Sequence, residues 1–408
     1  MNILFIHQNF PGQYGHLAVA LAAEPGNRVV ALGEHVNVIR RAAVQGVETR
    51  SYPAPAPAGK GTHPYVRTHE AAIRRGQQVA RSLIALRESG FVPDVVCAHP
   101  GWGEALFVKD VFRASRLLGY FEFFYRTVGA DVGFDPEYPA TLDDQCRVRT
   151  KNATMLLSLD AADAGVTPTR WQHSRFPAEY QPKISVIHEG IDTGNVCPEA
   201  NAQFVLPGGR VLTRRDEVVT FVVRNLEPYR GFHVFLRLLP ALLARRPTAQ
   251  IVILGGDEVS YGLRPPAGKT YREVLLAELG GALDGSRVHF AGRVPYPTFL
   301  SVLRISSVHV YLTYPFVLSW SMLEAMSAGC LVIGSRTPPV QEVIEDGVNG
   351  WLCDFFDQAG WAGRIAEALE AGDRLGHLRA AARQTIVERY DLARICLPQQ
   401  VALVRSLA

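Results

Sequence analysis

Residues 218–243 read VVTFVVRNLEPYRGFHVFLRLLPALL: an apolar run of strand length, a polar loop closed by a glycine, and an apolar pattern at helical spacing. The first part is expected to form a buried strand over 218–223 and the last a helix over 232–243. The same rhythm extends outward. Downstream, strand candidates at 251–254, 288–291, 308–312 and 331–333 alternate with helical patterns at 271–279, 322–328 and 361–369. Upstream, apolar runs at 3–6, 29–32, 95–98 and 117–121 surround a long helical pattern over 68–88, with Ala72, Ile73, Val79, Ala80, Leu83 and Ile84 on one face and arginines on the other. Strands that alternate with helices imply parallel sheets covered by helices, so the expected class is α/β with doubly wound, Rossmann-like sheets.

The rhythm weakens over 197–216, where Pro207, Gly208 and Gly209 supply turn chemistry. The 408 residues also suit two domains rather than one. The expected organisation is a first domain over 1–200, a second over 210–390, and a last helix over 391–408 with an apolar stripe of Leu397, Val401, Val404 and Leu407. Sheets of this kind bind ligands at the carboxyl ends of their strands, so the site is expected in an interdomain cleft lined by loops of both.

Composition narrows the function. Hydrophobic residues make up 48% and charged residues 20%, with 36 Gly and 26 Pro scattered along the chain, which excludes extensive disorder. A net charge of +3 is too small to announce a nucleic-acid partner. The cysteines Cys97, Cys146, Cys197, Cys330, Cys353 and Cys396 form no CxxC pair and no zinc-type cluster, which fits a reducing, cytoplasmic compartment. The first apolar run lacks the basic flank of a signal peptide, and no run of about 18 apolar residues occurs. Arg40, Arg41, Arg74, Arg75, Arg81 and Arg87 leave peripheral contact with the inner face of a membrane open, although helical arginines are ordinarily solvated.

Three places can carry chemistry. In HQNFPGQYGHLAVAL, Gly12 and Gly15 sit between a strand and a helix, where backbone amides can approach a phosphate or sugar hydroxyl; a turn that needs positive φ is the plainer reading. In RNLEPYRG, Arg224 ends a strand and Arg230 opens a helix, so two guanidiniums can meet a diphosphate and offset the charge that develops when a bond to it breaks. In YPFVLSWSMLEAMSAGC, Glu324 lies one turn into an apolar helix, where a carboxylate can accept from two vicinal hydroxyls and where burial demands a partner. The run 120–139 adds aromatics to acidic groups, a mixture suited to a sugar acceptor and equally to a strand followed by an acidic loop.

Taken in order, the opening strand and its glycine loop, PDVVCAH, ISVIHEGID, RNLEPYRG, VILGG, VHFAGRV, MLEAMSAGC and PPVQEVIEDGVNGWL resemble the motifs of glycosyltransferase family 4 over nearly the whole chain. The resemblance implies a GT-B fold and retaining transfer of a sugar from a nucleoside diphosphate sugar to a glycan, lipid-linked, protein or small-molecule acceptor. It places Glu324 on the donor ribose, Arg224 and Arg230 on the diphosphate, and the amides of Val317, Leu318 and Ser319 on its terminal phosphate. Arg293 and Val294 fall at the base, His99 beside the transferred sugar, and Gly12 and Gly15 at the donor. Acceptor contacts fall to the first domain, with Glu122, Tyr125 and Asp131 as candidates, and the last helix is implied to pack back onto that domain. The sugar nucleotide is a co-substrate; no resident cofactor and no metal are implied, and polysaccharide biosynthesis is a typical setting.

Three departures stand out. Phe316, itself expected among the donor contacts, occupies the position of the first Glu of the family's Glu-seven residues-Glu pattern, Arg230 replaces its Lys, and Arg224 precedes Arg230 by six positions rather than five. Two other readings share this architecture: a sugar-nucleotide 2-epimerase, which would yield an epimerised nucleotide sugar without acceptor, and a non-catalytic degenerate transferase that pairs with an active partner.

Overall fold

The computed structural model describes all 408 residues, Met1–Ala408. They form two compact units, one of Met1–Gly190 with Leu392–Ala408 and one of Ile191–Asp391. In the first, β1 (Asn2–Ile6), β2 (Arg28–Glu34), β3 (Glu48–Tyr52), β4 (Val95–Ala98), β5 (Arg116–Tyr120), β6 (Ala164–Thr167) and β7 (Ile184–Val186) make one parallel sheet in the order β3-β2-β1-β4-β5-β6-β7. β1 and β4 pair in the middle, Ile3 beside Val95 and Ile6 beside Ala98. Both faces of these strands are covered, which is why they read as continuous apolar runs. Three strands were not legible. ETRSY in β3 and ISV in β7 lie at the sheet's edges, and AGVT in β6 is short; none needs a full apolar run.

One face of this sheet packs Leu4, Ile6 and Val96 against Val79 and Leu83 of the helix Arg67–Glu88. The other packs Ile3, Phe5 and Val29 against Leu17 and Leu21 of the helix Gly15–Ala22. The C-terminal helix Leu397–Arg405 joins that second face: Val404 is buried, Gln400 Nε2 donates to the His188 carbonyl at 2.9 Å, and Arg405 pairs with Glu24 at 2.7 Å.

The second unit begins with an antiparallel hairpin, β8 (Gln203–Val205) and β9 (Val211–Thr213). Pro207, Gly208 and Gly209, whose turn chemistry marked the stretch 197–216 as the expected domain boundary, form the turn of this hairpin. Gly208 and Gly209 have φ of +116° and +87°, and Phe204, Leu206 and Leu212 bury into the core of the second unit. The chain passes between units instead at Gly190–Ile191 and Asp391–Leu392. The main sheet holds β10 (Val218–Asn225), β11 (Gln250–Gly256), β12 (Val288–Gly292), β13 (Val308–Tyr311), β14 (Leu331–Ser335) and β15 (Trp351–Cys353), all parallel, in the order β12-β11-β10-β13-β14-β15. The stretch 218–243 forms β10 and the helix Phe232–Arg245, locked together by Phe221 stacked on Phe235 at 4.4 Å.

Each sheet has one place where strand order reverses, between β1 and β4 and between β10 and β13. Chains leaving neighbouring strands there diverge and open a crevice, the usual ligand position in such sheets. No helix is long and apolar enough to cross a membrane. Of the arginines considered for a membrane face, Arg75 is largely buried against Glu34 at 2.8 Å, Arg74 pairs with Glu70, Arg87 donates to the Val111 carbonyl and Arg41 to that of Phe10.

Candidate functional site

At the second reversal, the loop after β10 meets the loop after β13. Arg230 ends a 3-10 turn over Pro228–Arg230 and is 8% exposed. Its Nη1 donates to Thr313 Oγ1 at 2.8 Å, to the Val317 carbonyl at 2.9 Å and, weakly, to the Tyr311 hydroxyl at 3.4 Å. All three bonds use one nitrogen, which leaves Nε–H and Nη2 without protein acceptors and the guanidinium fixed in orientation. Gly231 permits this approach. Its φ is +67°, and a Cβ there would lie 2.3 Å from Leu312 Cβ.

Around Arg230 stand the rings of Tyr261, at 5.6 Å, and Phe316, at 5.8 Å, and Phe316 is also edge-on to Tyr229. Phe316 is 2% exposed, so it packs behind the guanidinium and does not present itself to a ligand. Leu318 is likewise buried, and Ser319 spends its amide on the Tyr311 hydroxyl at 2.8 Å and its side chain on capping the helix Trp320–Ser327. Of the loop amides expected to meet a phosphate, Ser319's is therefore occupied, whereas those of Val317 and Leu318 make no hydrogen bond within the protein. Arg224 is exposed at the end of β10, and its charge, like that of Arg230, acts on the carboxyl of Glu227; Arg293 is held by Asn225 at 2.8 Å and paired with Glu258, beside half-buried Val294.

Glu324 has the partner its surroundings demanded. The Tyr296 hydroxyl donates to Oε1 at 2.7 Å, while burial raises the carboxyl's pKa. Tyr296 gave no sequence signal, because it lies on a different helix, Tyr296–Arg304.

Glu227 was also missed, although it lies inside RNLEPYRG. It is 1% exposed; Oε2 accepts from the amides of Ser260 and Tyr261 at 3.1 and 2.9 Å, and Oε1 is buried without a partner. It thereby holds the Tyr261 ring against Arg230. Burial pushes its carboxyl up from 4.5 to about 7. Because the folded value lies above the unfolded one, unfolding releases a proton between these limits, and this group costs stability as pH rises through them. Glu227→Gln should therefore flatten the loss of Tm between pH 4.5 and 7 relative to the wild type; an unchanged slope would refute the burial argument.

At the first reversal, His7 follows β1 and His99 follows β4, their rings 5.2 Å apart. His99 is 2% exposed, stacked between Trp102 and Tyr120 at 4.5 and 5.4 Å. Its Nδ1 accepts from the Gly101 amide, so the ring proton sits on Nε2, which is buried and has no partner in the protein. Burial, then His7, keeps His99 far below the ordinary histidine range and hence neutral. His7 accepts from the Asn9 amide at Nδ1, bonds Gln13 Oε1 through Nε2, and is lowered by burial to about 4.

Gly12 is explained by His7. Its φ is +50° and a Cβ would fall 2.6 Å from the His7 ring, while Gly15 simply opens the following helix. Gln13 continues to Glu122 at 3.4 Å. Tyr125 is clamped through its backbone by Asn152, and the Lys151 ammonium lies 3.6 Å over its ring. Asp131 is 2% exposed. The segment 121–141 contains no regular helix or strand.

Over residues 25–196 the chain matches the family described as glycosyl transferase family 4 group, and over 210–385 that described as glycosyl transferases group 1. It is 28% identical over 219 residues to D-inositol 3-phosphate glycosyltransferase of Mycolicibacterium vanbaalenii, covering 52% of this chain and 47% of that protein. It is 34% identical over 184 residues to phosphatidyl-myo-inositol mannosyltransferase of Mycolicibacterium smegmatis, covering 44% and 42%. The chain thus spans about half the length of the curated relatives it matches. Among solved structures, Anabaena HepE in complex with UDP and glucose matches over 100% of both chains with a TM-score of 0.69 at 16% identity. Sucrose-phosphate synthase of Thermosynechococcus elongatus matches with a TM-score of 0.74 at 17% identity over 100% of this chain and 99% of that one. At these identities the likeness speaks to the fold, two Rossmann-like α/β domains of the GT-B class.

Proposed function

This chain belongs to the family 4, group 1 glycosyltransferases, and on that footing we propose that it transfers a sugar from a nucleoside diphosphate sugar to a hydroxyl-bearing acceptor with retention of configuration. The observation that carries the reading is Arg230: a buried guanidinium fixed across the β10/β13 reversal, with Nε–H, Nη2 and the Val317 and Leu318 amides left over for a ligand. Donors aimed at one place suit a diphosphate whose charge grows as it departs. Glu324 accepts from the two ribose hydroxyls. In the first unit, the unpartnered Nε2–H of neutral His99 suits a sugar hydroxyl. The bond between the anomeric carbon and the phosphate oxygen breaks with its electron pair staying on the phosphate. The acceptor oxygen then bonds the same carbon from the same face and loses its proton to the departing phosphate oxygen. No metal is asked for, since the arginine and the amides meet the charge.

The relatives named for glycosyl and mannosyl transfer and the neighbour crystallised with UDP and glucose support this choice over epimerisation. UDP-glucose is the first donor to test, by transfer to added glycans and by binding. Glu324→Gln should raise the donor Kd by roughly tenfold, the worth of a charge-assisted bond. Release of an epimerised nucleotide sugar, or unaltered donor binding in this variant, would overturn the assignment.

Glu324 also sets a pH dependence. Only its carboxylate accepts both hydroxyls, and its folded pKa is raised, so donor affinity should weaken as pH falls through that raised value. Tyr296→Phe removes the bond that favours the carboxylate and should move this weakening to higher pH, read from Kd against pH; an unmoved midpoint would refute the role of Tyr296.

A further inference from the structure

In the first unit, two guanidiniums stand together without a carboxylate. Arg126 lies on the segment that leaves β5, and Arg175 follows the short helix Arg170–His173 that leaves β6; the two strands are neighbours in the sheet. Arg126 donates from Nε to the main-chain oxygen of Arg175 at 2.7 Å and lies 5.1 Å over the Phe124 ring. Arg175 lies 4.0 Å over the Trp171 ring, donates from Nη1 to the Gly129 carbonyl at 3.3 Å and from Nε and Nη2 to Ser174 Oγ at 3.2 and 3.1 Å. Ring stacking and main-chain bonds thus hold both planes in place, while Nη1 and Nη2 of Arg126 have no acceptor in the protein.

Neither arginine has an acidic oxygen within 4.0 Å, in contrast to Arg74, Arg75, Arg116 and Arg147 of the same unit, each of which is paired. Burial and the repulsion of Arg126 lower the pKa of Arg175, as expected where charge is left uncompensated. Lys151, on the helix Leu142–Ala161, adds a third cation over the Tyr125 ring, and the charge of Asp131 acts on it. Two guanidiniums brought together, oriented and without an ion pair of their own favour an anion from solution, and they match the paired oxygens of a phosphate or carboxylate.

We propose that Arg126 and Arg175 bind an anionic group, a phosphate or a carboxylate, carried by the acceptor. The word acceptor rests on the transfer reading above; the anion site does not. Arg126 and Arg175 leave the carboxyl edge of the sheet on the side of β5 and β6, next to the strand that supplies His99, so an acceptor held by its anion there would direct a hydroxyl toward the β1/β4 reversal.

The test is calorimetric binding of glucose 6-phosphate, glucuronate and glucose to the full chain at low and high salt, with UDP as the probe of the other unit. Glucose 6-phosphate or glucuronate should bind about tenfold or more tightly than glucose and weaken with salt, and whichever binds better identifies the anion. Arg126→Gln with Arg175→Gln should abolish the preference without altering the UDP Kd, whereas Arg126→Lys should keep part of it. Equal binding of charged and neutral sugars, or a full preference in the double glutamine variant, would overturn the proposal. So would a loss in Arg230→Ala, which would place the anion in the second unit. If the double variant does not fold, the preference of the wild-type chain and its salt dependence decide. Absence of UDP binding beside an Arg126-dependent sugar phosphate would instead sink the donor reading and leave the anion site standing.

Discussion

Arg230→Ala is expected to lower kcat/KM for sugar transfer by roughly two to three orders of magnitude, since a donor aimed at charge that develops during reaction lowers the barrier by about 3–4 kcal/mol. The side chain has two tasks. Toward the protein, Nη1 ties Thr313 and Val317 of the loop after β13 to the loop after β10. Toward a ligand, its remaining edge is free. Alanine removes both, leaves the Thr313 hydroxyl without its donor in a buried place, and should also lower stability by about 1–3 kcal/mol. Arg230→Lys separates the two tasks. It keeps a charge but cannot hold the loop and face the phosphates with one planar group, so kcat should fall while UDP binding survives in part. Initial rates and donor Kd measured on both variants decide; an alanine variant within tenfold of wild type would remove Arg230 from the mechanism.

The second large effect is on folding. Gly103→Ala should destabilise the first unit by about 3 kcal/mol or more, because it combines backbone strain with a clash that cannot be relieved by a side-chain rotation. Gly103 has φ of +104°, and a Cβ would lie 2.2 Å from the main-chain oxygen of Ala72 in the helix Arg67–Glu88. The glycine closes the Pro100–Trp102 turn that seats His99 and its stacked Trp102. Urea unfolding should show the loss directly as a lower midpoint. A change below about 1 kcal/mol would mean that the helix and turn can separate cheaply, contrary to the packing described.

How far the fold and site could be read ahead of the structure depended on burial. The central strands β1, β4, β10 and β13 carry apolar residues on both faces because helices cover both, and that continuous signal also located the loops at their carboxyl ends. Arg230 and His99 follow from it, since each sits where a readable strand meets a readable turn. β3 and β7 were lost because an edge strand faces solvent and is under weaker demand for apolar residues. The boundary expected within 197–216 rests on the turn chemistry of Pro207, Gly208 and Gly209, which is the same in a hairpin as between domains; only the burial of Phe204 and Leu212 distinguishes them.

By itself, the order of residues determined the two α/β sheets, the arginine that opens the helix Phe232–Arg245 and the glutamate one turn into the helix Trp320–Ser327, because each depends on neighbours within a few positions. Only the tertiary structure decided what those groups touch. Tyr296 reaches Glu324, Glu227 reaches Ser260 and Tyr261, Phe316 retreats behind Arg230, and Arg126 meets Arg175, each pair set by how separate strands and loops pack. Hydrogen bonds and charges act over a few ångströms of space, and distance along a chain does not reveal which residues share that space.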